Sequence, residues 1–431
     1  MRPPASNMND NEFDLIIVGA GAAGIAAAHA ARDAGLRAIV LEAKDRAGGR
    51  AYTDFESLSR PFDHGCQWLH SAGINPLTKH AERLGFHYRR DPLNFRIHDG
   101  AWWLNDRIAD EFMQVMGEIY DRIATAGEDG RDVSAESCID ERDPRVARWA
   151  PLFRRNFTGY MAGAPRDVSA FDTARYVQTD QNWPVEDGLG ALVQRLSQEV
   201  ERAVEIRLSC PVKSIDWGGD TVMVGTLDGM LFARTVLVTV STGVLAGERL
   251  KFFPLLPDWK REAIAQVPMG FAEKVAFEFA EDPFAGLEPH FALLDWPDAP
   301  ACAFFTHPFD RPVSIAFLGG TLAASLNREG EAAMVDFARE HLVRVFGAEI
   351  ARQIVRVKAT RWAADPCFGG AYSILRPGGG EARAALARPL DGKLFFAGEA
   401  TSADAFSTVH GAWQSGLDAM KLIVSGAPAG K

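Results

Sequence analysis

The stretch "FDLIIVGAGAAGIAAAHAARDAGLRAIVLE", residues 13–42, decides the architecture. Residues 13–18 form a nearly continuous apolar run, short enough for one buried strand. Residues 19–24 then place glycines at 19, 21 and 24. The alanine-rich segment 22–34 reads as a helix that Gly35 stops, and 36–42 reads as a second strand. A strand, glycine turn, helix and strand within about 30 residues is the unit that gives a GxGxxG its meaning. Gly19 permits the tight turn, Gly21 lets the backbone approach a pyrophosphate, and Gly24 lets helix and strand pack closely. Ala22 and Ala23 open the helix, whose free N–H groups and positive dipole end favour phosphates. Glu42 closes the second strand, where a carboxylate accepts hydrogen bonds from an adenosine ribose and repels a 2′-phosphate. The stretch predicts a dinucleotide site; the competing reading is a coincidental glycine-rich turn.

The bulk numbers narrow the class. At 431 residues the chain predicts two domains. A hydrophobic share of 47% with 24% charged residues is that of a globular enzyme. The formal charge of −11 argues against nucleic acid as a partner and mildly favours a cationic ligand. Five scattered cysteines without a CxxC predict neither a disulfide framework nor a zinc site, and fit a reducing, cytoplasmic setting. Residues 1–11 are polar and read as a disordered tail. No uninterrupted apolar stretch is long enough to span a bilayer.

Downstream, "EAKDRAGGRAYT" (42–53) adds Gly48, Gly49 and Arg50. It is similar to the flavoprotein pattern in which Ala43, Lys44 and a Gly-Gly-Arg segment run along FAD, with Arg50 as a charge partner for the cofactor. Residues 86–186 change character. Amphipathic patterns such as "IADEFMQVMGEIYDRIATA" predict helices there. Strand patterns return at 204–240 and continue through "AEKVAFEF", "ACAFFTH" and "VSIAFLGG". A helix is expected at 329–346, a buried strand in "KLFFAG", and a long helix from about 408. The expected domains are 12–86, 187–250 and 390–431 for the nucleotide, and 87–186 with 251–389 for the substrate.

Four separated motifs, in order, carry a family resemblance: "FDHGCQWLH" (62–70), "VTVSTGVLAGERLKFFPLLPDWKREAIAQVPMGFAEKVAFEF" (238–279), "RWAADPCFGGAYS" (361–373) and "LFFAGEATSADAFSTVHGAWQSG" (394–416). The chain resembles the flavin amine oxidases from about residue 12 to 425, most of all the polyamine oxidase and histone-lysine demethylase branch. The resemblance implies an α/β fold, with a discontinuous Rossmann-like FAD-binding domain and a second, mixed-sheet-plus-helices substrate domain. It places Gly65, Cys66, Gln67 and Trp68 along the isoalloxazine and Trp362 on the ring system. Val212 falls at the adenine, and Gly398 and Glu399 at the ribityl chain. Thr408 and Val409 open a helix aimed at the flavin N1–C2=O edge.

The implied reaction is oxidation of an amine C–N bond. Hydride passes from the α-carbon to flavin N5, the imine hydrolyses to aldehyde and amine, and dioxygen returns as hydrogen peroxide. In the family the lysine at position 274 reaches N5 through a water; read from alternation alone, Lys274 also fits a solvent-facing residue. Tyr372 matches one wall of the family's aromatic cage, while the second wall falls at Thr408, leaving the cage half aromatic. His70 is placed near substrate nitrogen, with a backbone-satisfied core histidine the equal alternative. His410 is expected to anchor the last helix, and Trp183 to border the substrate channel. Ala371 stands where monoamine oxidases carry a flavin-linking cysteine, and Cys367 is four residues too early, so the FAD is expected to be non-covalent. Polyamines or other primary or secondary amines are the expected substrates, and the enzyme is expected to be a metal-free monomer or homodimer away from membranes. An amino-acid oxidase, for which Arg96, Arg166 and Arg175 are available, a desaturase, and a non-redox binding protein of the Rab-escort type remain alternatives.

Overall fold

The computed structural model describes residues 12–91, 94–296 and 300–426; the expected tail at 1–11 lies outside them. Its first sheet is centred on the strand Glu12–Val18. Met230–Val238 and Ala38–Leu41 flank it, both parallel. Glu205–Arg207 extends the sheet beyond Ala38–Leu41, and Leu394–Phe396 pairs with Met230–Val238, again parallel. An antiparallel extension, Val222–Gly225 and Ser214–Asp216, ends in Lys251–Phe253. The apolar run at 13–18 follows from this position. Leu15, Ile16 and Ile17 are fully buried, because both faces of a central parallel strand are covered.

Leu15 and Ile17 pack with Ala23, Ala27, Phe395 and Met420 under the helices Ala22–Asp33 and Val409–Ser425. Ile16 and Val18 pack on the other face with Val236, Leu394 and Phe396. Small residues make the helix contacts tight. A β-carbon on Gly24 would lie 1.9 Å from the Gly19 carbonyl oxygen, and one on Gly416 would lie 2.1 Å from that of Ala23. Gly19 itself has φ +107°, a conformation that L side chains rarely adopt.

The second sheet has six strands in the order Ile354–Ala359, Ala272–Phe279, Val313–Gly319, Ala303–Thr306, His290–Leu294, Asn94–His98. All its pairs are antiparallel except the last. Alternation sorts the strand Ala272–Phe279 onto two faces. Val275, Phe277 and Phe279 join a core with Met334, Ala338 and Leu342, whereas Ala276 packs with Leu58 and Phe62. Lys274 shares the face of Ala276, and so points at the segment 62–67. The helices Asp106–Glu128 and Pro144–Met161 build a third core around Phe112, Trp149, Phe153 and Phe157.

The helix anticipated over 329–346 is present as Glu331–Phe346, and a separate helix, Gly320–Glu329, precedes it. Gly330, at φ +115°, breaks them apart where a helical residue would need a negative φ.

Candidate active site

A single cavity of about 1600 Å³ is lined by residues of both sheets and of the helical segment 144–176. Gly19, Gly21, Ala22 and Ala23 contribute the glycine turn and the start of its helix. No atom lies within 4 Å of where a Gly21 β-carbon would stand, so the turn leaves open space beside its backbone. Glu42 is buried and accepts hydrogen bonds from the N–H groups of Ala20 (2.7 Å) and Lys44 (2.8 Å). Burial outweighs those bonds and pushes its pKa up. Ala43, Gly48, Gly49, Arg50 and Val212 line the same cavity. Gly24 and Lys44 do not. Gly24 serves the helix contact described above, and the Lys44 ammonium is turned onto Asp365 at 2.7 Å.

Arg50 and Glu399 meet at the centre. The Arg50 guanidinium donates to Glu399 Oε1 (2.8 Å) and to the Ala371 carbonyl (2.8 Å). Glu399 also accepts from the Ser373 N–H (3.1 Å) and hydroxyl (2.6 Å), and from the Ser407 N–H (3.0 Å). Burial alone would raise its pKa, but Arg50, Ser373 and Arg383 overcome that and hold it below the ordinary carboxylate value. Behind it, Arg383 donates to the Ser373 hydroxyl (2.8 Å) and forms a two-point pair with buried Asp172 (2.8 and 2.9 Å). Charges therefore alternate from Asp172 through Arg383 and Glu399 to Arg50. Sequence reading missed Asp172 and Arg383, which pair across 211 residues with no local pattern to mark them, and gave Ser373 no role although it ends the 361–373 motif.

Lys274 is 8% exposed. Its ammonium donates to the carbonyls of Asp63 (2.8 Å) and Gly65 (2.7 Å) and to Gln67 Oε1 (3.2 Å). An ammonium has three donors, so these three oxygens use all of them. Burial lowers its pKa to about 8, against the opposing pull of Asp63. Next to it, Glu273 points the other way and accepts from Asn327, Thr360 and the Trp362 and Ala363 N–H groups, which fixes the turn carrying Trp362. The Trp362 indole N–H donates to the His64 carbonyl (3.1 Å). Gly65, Cys66, Gln67, Trp68, Trp362 and Lys274 all line the cavity. So do Phe291 and Phe317, whose rings lie 6.0 and 6.1 Å from that of Trp68.

Tyr372, half-buried, lines the cavity, and its hydroxyl donates to the Tyr160 carbonyl (2.9 Å). Gly398, Thr408 and Val409 line it too. Thr408 caps the last helix, accepting from the Gly411 N–H at 3.0 Å. His70 lines the cavity with Nδ1 against Asn182 Oδ1 at 2.8 Å; burial lowers its pKa. His410 stands in the first turn of the last helix, with Nδ1 buried and unpartnered, and is not a lining residue. Trp183 stacks on Tyr88 (5.2 Å, 7°), away from the cavity lining. Of the three arginines held in reserve, only Arg166 lines the cavity. Arg96 covers Trp103, and Arg175 pairs with Glu381. Tyr160 and Tyr176 also line the cavity and were not singled out from sequence.

The donor set fits a flavin nucleotide: a glycine turn with open space beside it, a buried ribose-side carboxylate, a helix N-terminus and an aromatic wall around one long cavity. Comparison with known proteins agrees. The chain belongs to the flavin-containing amine oxidoreductase family, whose model matches residues 22–423. It is therefore a flavin-dependent enzyme acting on amines. Polyamine oxidase 3 of Oryza sativa subsp. japonica is 30% identical over 435 residues, covering 93% of this chain and 87% of the relative. Lysine-specific histone demethylase 1B of Mus musculus is 28% identical over 94% of this chain but only 52% of its own length. A putrescine oxidase solved with putrescine bound superposes with a TM-score of 0.78 over 96% of this chain and 99% of that one; at 21% identity it shows the shared fold. No described helix is long and apolar enough to cross a membrane, and all five cysteines are free.

Proposed function

We propose that the protein is an FAD-dependent oxidase of small primary or secondary amines, with the FAD held non-covalently and dioxygen as acceptor. The observation that carries this reading is the meeting, in one cavity, of the buried Lys274 ammonium and Tyr372 with the glycine turn and Glu42. A bound flavin would supply the two-electron chemistry: acceptance of a hydride from the amine α-carbon and reduction of dioxygen to hydrogen peroxide, with the imine product hydrolysing to aldehyde and amine.

In this reading Gly19, Gly21, Ala22 and Ala23 hold the pyrophosphate, and Glu42 and Val212 the adenosine. Gly48, Gly49 and Arg50 follow the cofactor inward, and Gly398 and Glu399 meet the ribityl chain. The Thr408–Val409 helix start favours negative charge near the ring. Tyr372 confines the amine, and His70 meets its nitrogen or a neighbouring water. Lys274 holds the water for imine hydrolysis and favours dioxygen reduction; Gln67, its longest contact, is the one that yields to that water. Ala371, with no thiol to offer, supports non-covalent attachment. The first sheet (12–86, 187–250, 390–431) serves the cofactor, and the second with the helical segment (87–186, 251–389) the substrate. We place the enzyme in the cytoplasm, as a monomer or homodimer, acting on small molecules and not on nucleic acid.

The test is an anaerobic titration of the purified protein with spermidine, spermine, putrescine and aryl-alkyl amines. Bleaching of the flavin spectrum by at least one amine, with recovery and peroxide on admitting air, is expected. A flavin bleached by none of them overturns the amine reading. Heat or acid precipitation should release FAD into the supernatant; colour that stays with the precipitate overturns non-covalent binding.

A further inference from the structure

Thr408 falls at the second cage position that the resemblance implies, and the one proton of its hydroxyl is engaged. It accepts from the Gly411 N–H and donates to the Ala405 carbonyl at 2.6 Å. It therefore offers an amine neither a ring nor a free donor. Two tyrosines from other segments face the same cavity. Tyr160 stands near the end of the helix Pro144–Met161, and Tyr176 directly follows the helix Ala170–Arg175. Tyr160 is tied to Tyr372, because its carbonyl accepts the Tyr372 hydroxyl at 2.9 Å. Tyr176 lies edge-on to Phe406, 5.2 Å between centroids at 64°, and Phe406 is two residues from Thr408. The two phenols are neighbours, each influencing the other's ionisation. Tyr160 is 45% exposed and lines the cavity, and burial still pushes its pKa up.

We propose that Tyr160 and Tyr176 supply the second aromatic wall of the amine site, taking over the task that residue 408 cannot perform. The inference rests on the amine-oxidase reading of this site. Aromatic faces attract an ammonium and confine its neutral form, and they do so from whichever segment delivers the ring. A wall borne on the helical segment, and not on the last helix, leaves room above Thr408 for a substituent on the amine nitrogen. Tyr160 and Tyr176 are thus specificity-determining residues.

The experiment compares Tyr160→Ala, Tyr176→Ala and Tyr176→Phe holoenzymes with wild type, using the amine that the wild type oxidises best. Each alanine variant should raise KM about tenfold or more, with the limiting rate of flavin reduction changed by less than about threefold. Tyr176→Phe keeps the ring and should keep KM. Thr408→Tyr in the Tyr176→Ala background should recover it. If an alanine variant loses its flavin, Tyr160→Leu and Tyr176→Leu carry the same comparison with the volume largely kept. Unchanged KM in both positions overturns the wall, as does Tyr176→Phe being as damaging as Tyr176→Ala. If no amine bleaches the wild type, the amine-oxidase reading falls and takes the wall with it. If the wild type is bleached and KM does not move, only the wall falls.

Discussion

At the scale of the residue, Lys274 is buried, saturated with hydrogen bonds and poised to titrate beside the cavity. Its pKa of about 8 means that it is an ammonium below that pH and neutral above it. A positive charge beside the flavin favours electron transfer to dioxygen. The reoxidation rate should therefore fall as pH rises through about 8, read by stopped-flow mixing of reduced enzyme with oxygen. Lys274→Met should keep the yellow holoenzyme, lower turnover about a hundredfold and flatten that profile. A near-wild-type rate removes Lys274 from the chemistry. Tyr372→Ala should raise KM for amines while leaving the melting temperature within a few degrees, since its ring faces the cavity and its hydroxyl bonds only to backbone carbonyls. Unchanged kinetics across the amine panel would place the amine elsewhere.

At the scale of the element, a second buried lysine does purely structural service. Lys260, in the helix Asp258–Gln266, is fully buried. It donates to the carbonyls of Ala385 (2.9 Å), Leu386 (2.8 Å) and Arg388 (2.5 Å), closing the end of the helix Ala382–Ala387. Burial, with Arg388 nearby, lowers its pKa to about 7. Between about 7 and the ordinary 10.5 the unfolded chain binds a proton that the folded chain does not, so this group makes stability rise with pH across that window. Lys260→Met leaves the Leu386 and Arg388 carbonyls unpaired, while Ala385 keeps the Arg388 N–H at 3.3 Å; it should cost about 2–4 kcal/mol and remove that group's share of the rise, and urea unfolding at pH 7 and pH 9.5 measures both. Legibility in the sequence followed the same line between local and distant. The turn at Gly19–Gly24 could be read because each glycine answers to neighbours a few residues away. Lys274 was placed by its flanking motif, since alternation alone could not say which face of Ala272–Phe279 meets the cavity. The helix Glu331–Phe346 was legible to within two residues of its start. Arg383 and Asp172, or Tyr160 beside Tyr372, meet only after folding, and no spacing announces them.

At the scale of the whole molecule, the cavity lies where two sheets and a helical segment converge, and its lining includes buried carboxylates, N–H groups and ring faces that a ligand completes. Ligand binding to the folded state alone adds RT ln(1 + [L]/Kd) to stability, about 4 kcal/mol at a thousandfold excess over Kd. Protein stripped of flavin should melt several degrees lower and recover on adding FAD, followed by differential scanning calorimetry; equal melting points would mean that the cavity needs no ligand to be stable. The contact between the first and last helices, at Ala23 and Gly416, carries a consequence for how the chain is made. The strand Glu12–Val18 is among the earliest described segments to leave a ribosome, but the strand Leu394–Phe396 and the helix Val409–Ser425 are among the last. At roughly 5–20 residues per second, the nascent glycine turn waits tens of seconds for the other wall of its own pocket. The pocket for the coenzyme is therefore complete only once residues 394–425 have followed residues 12–42 out of the ribosome.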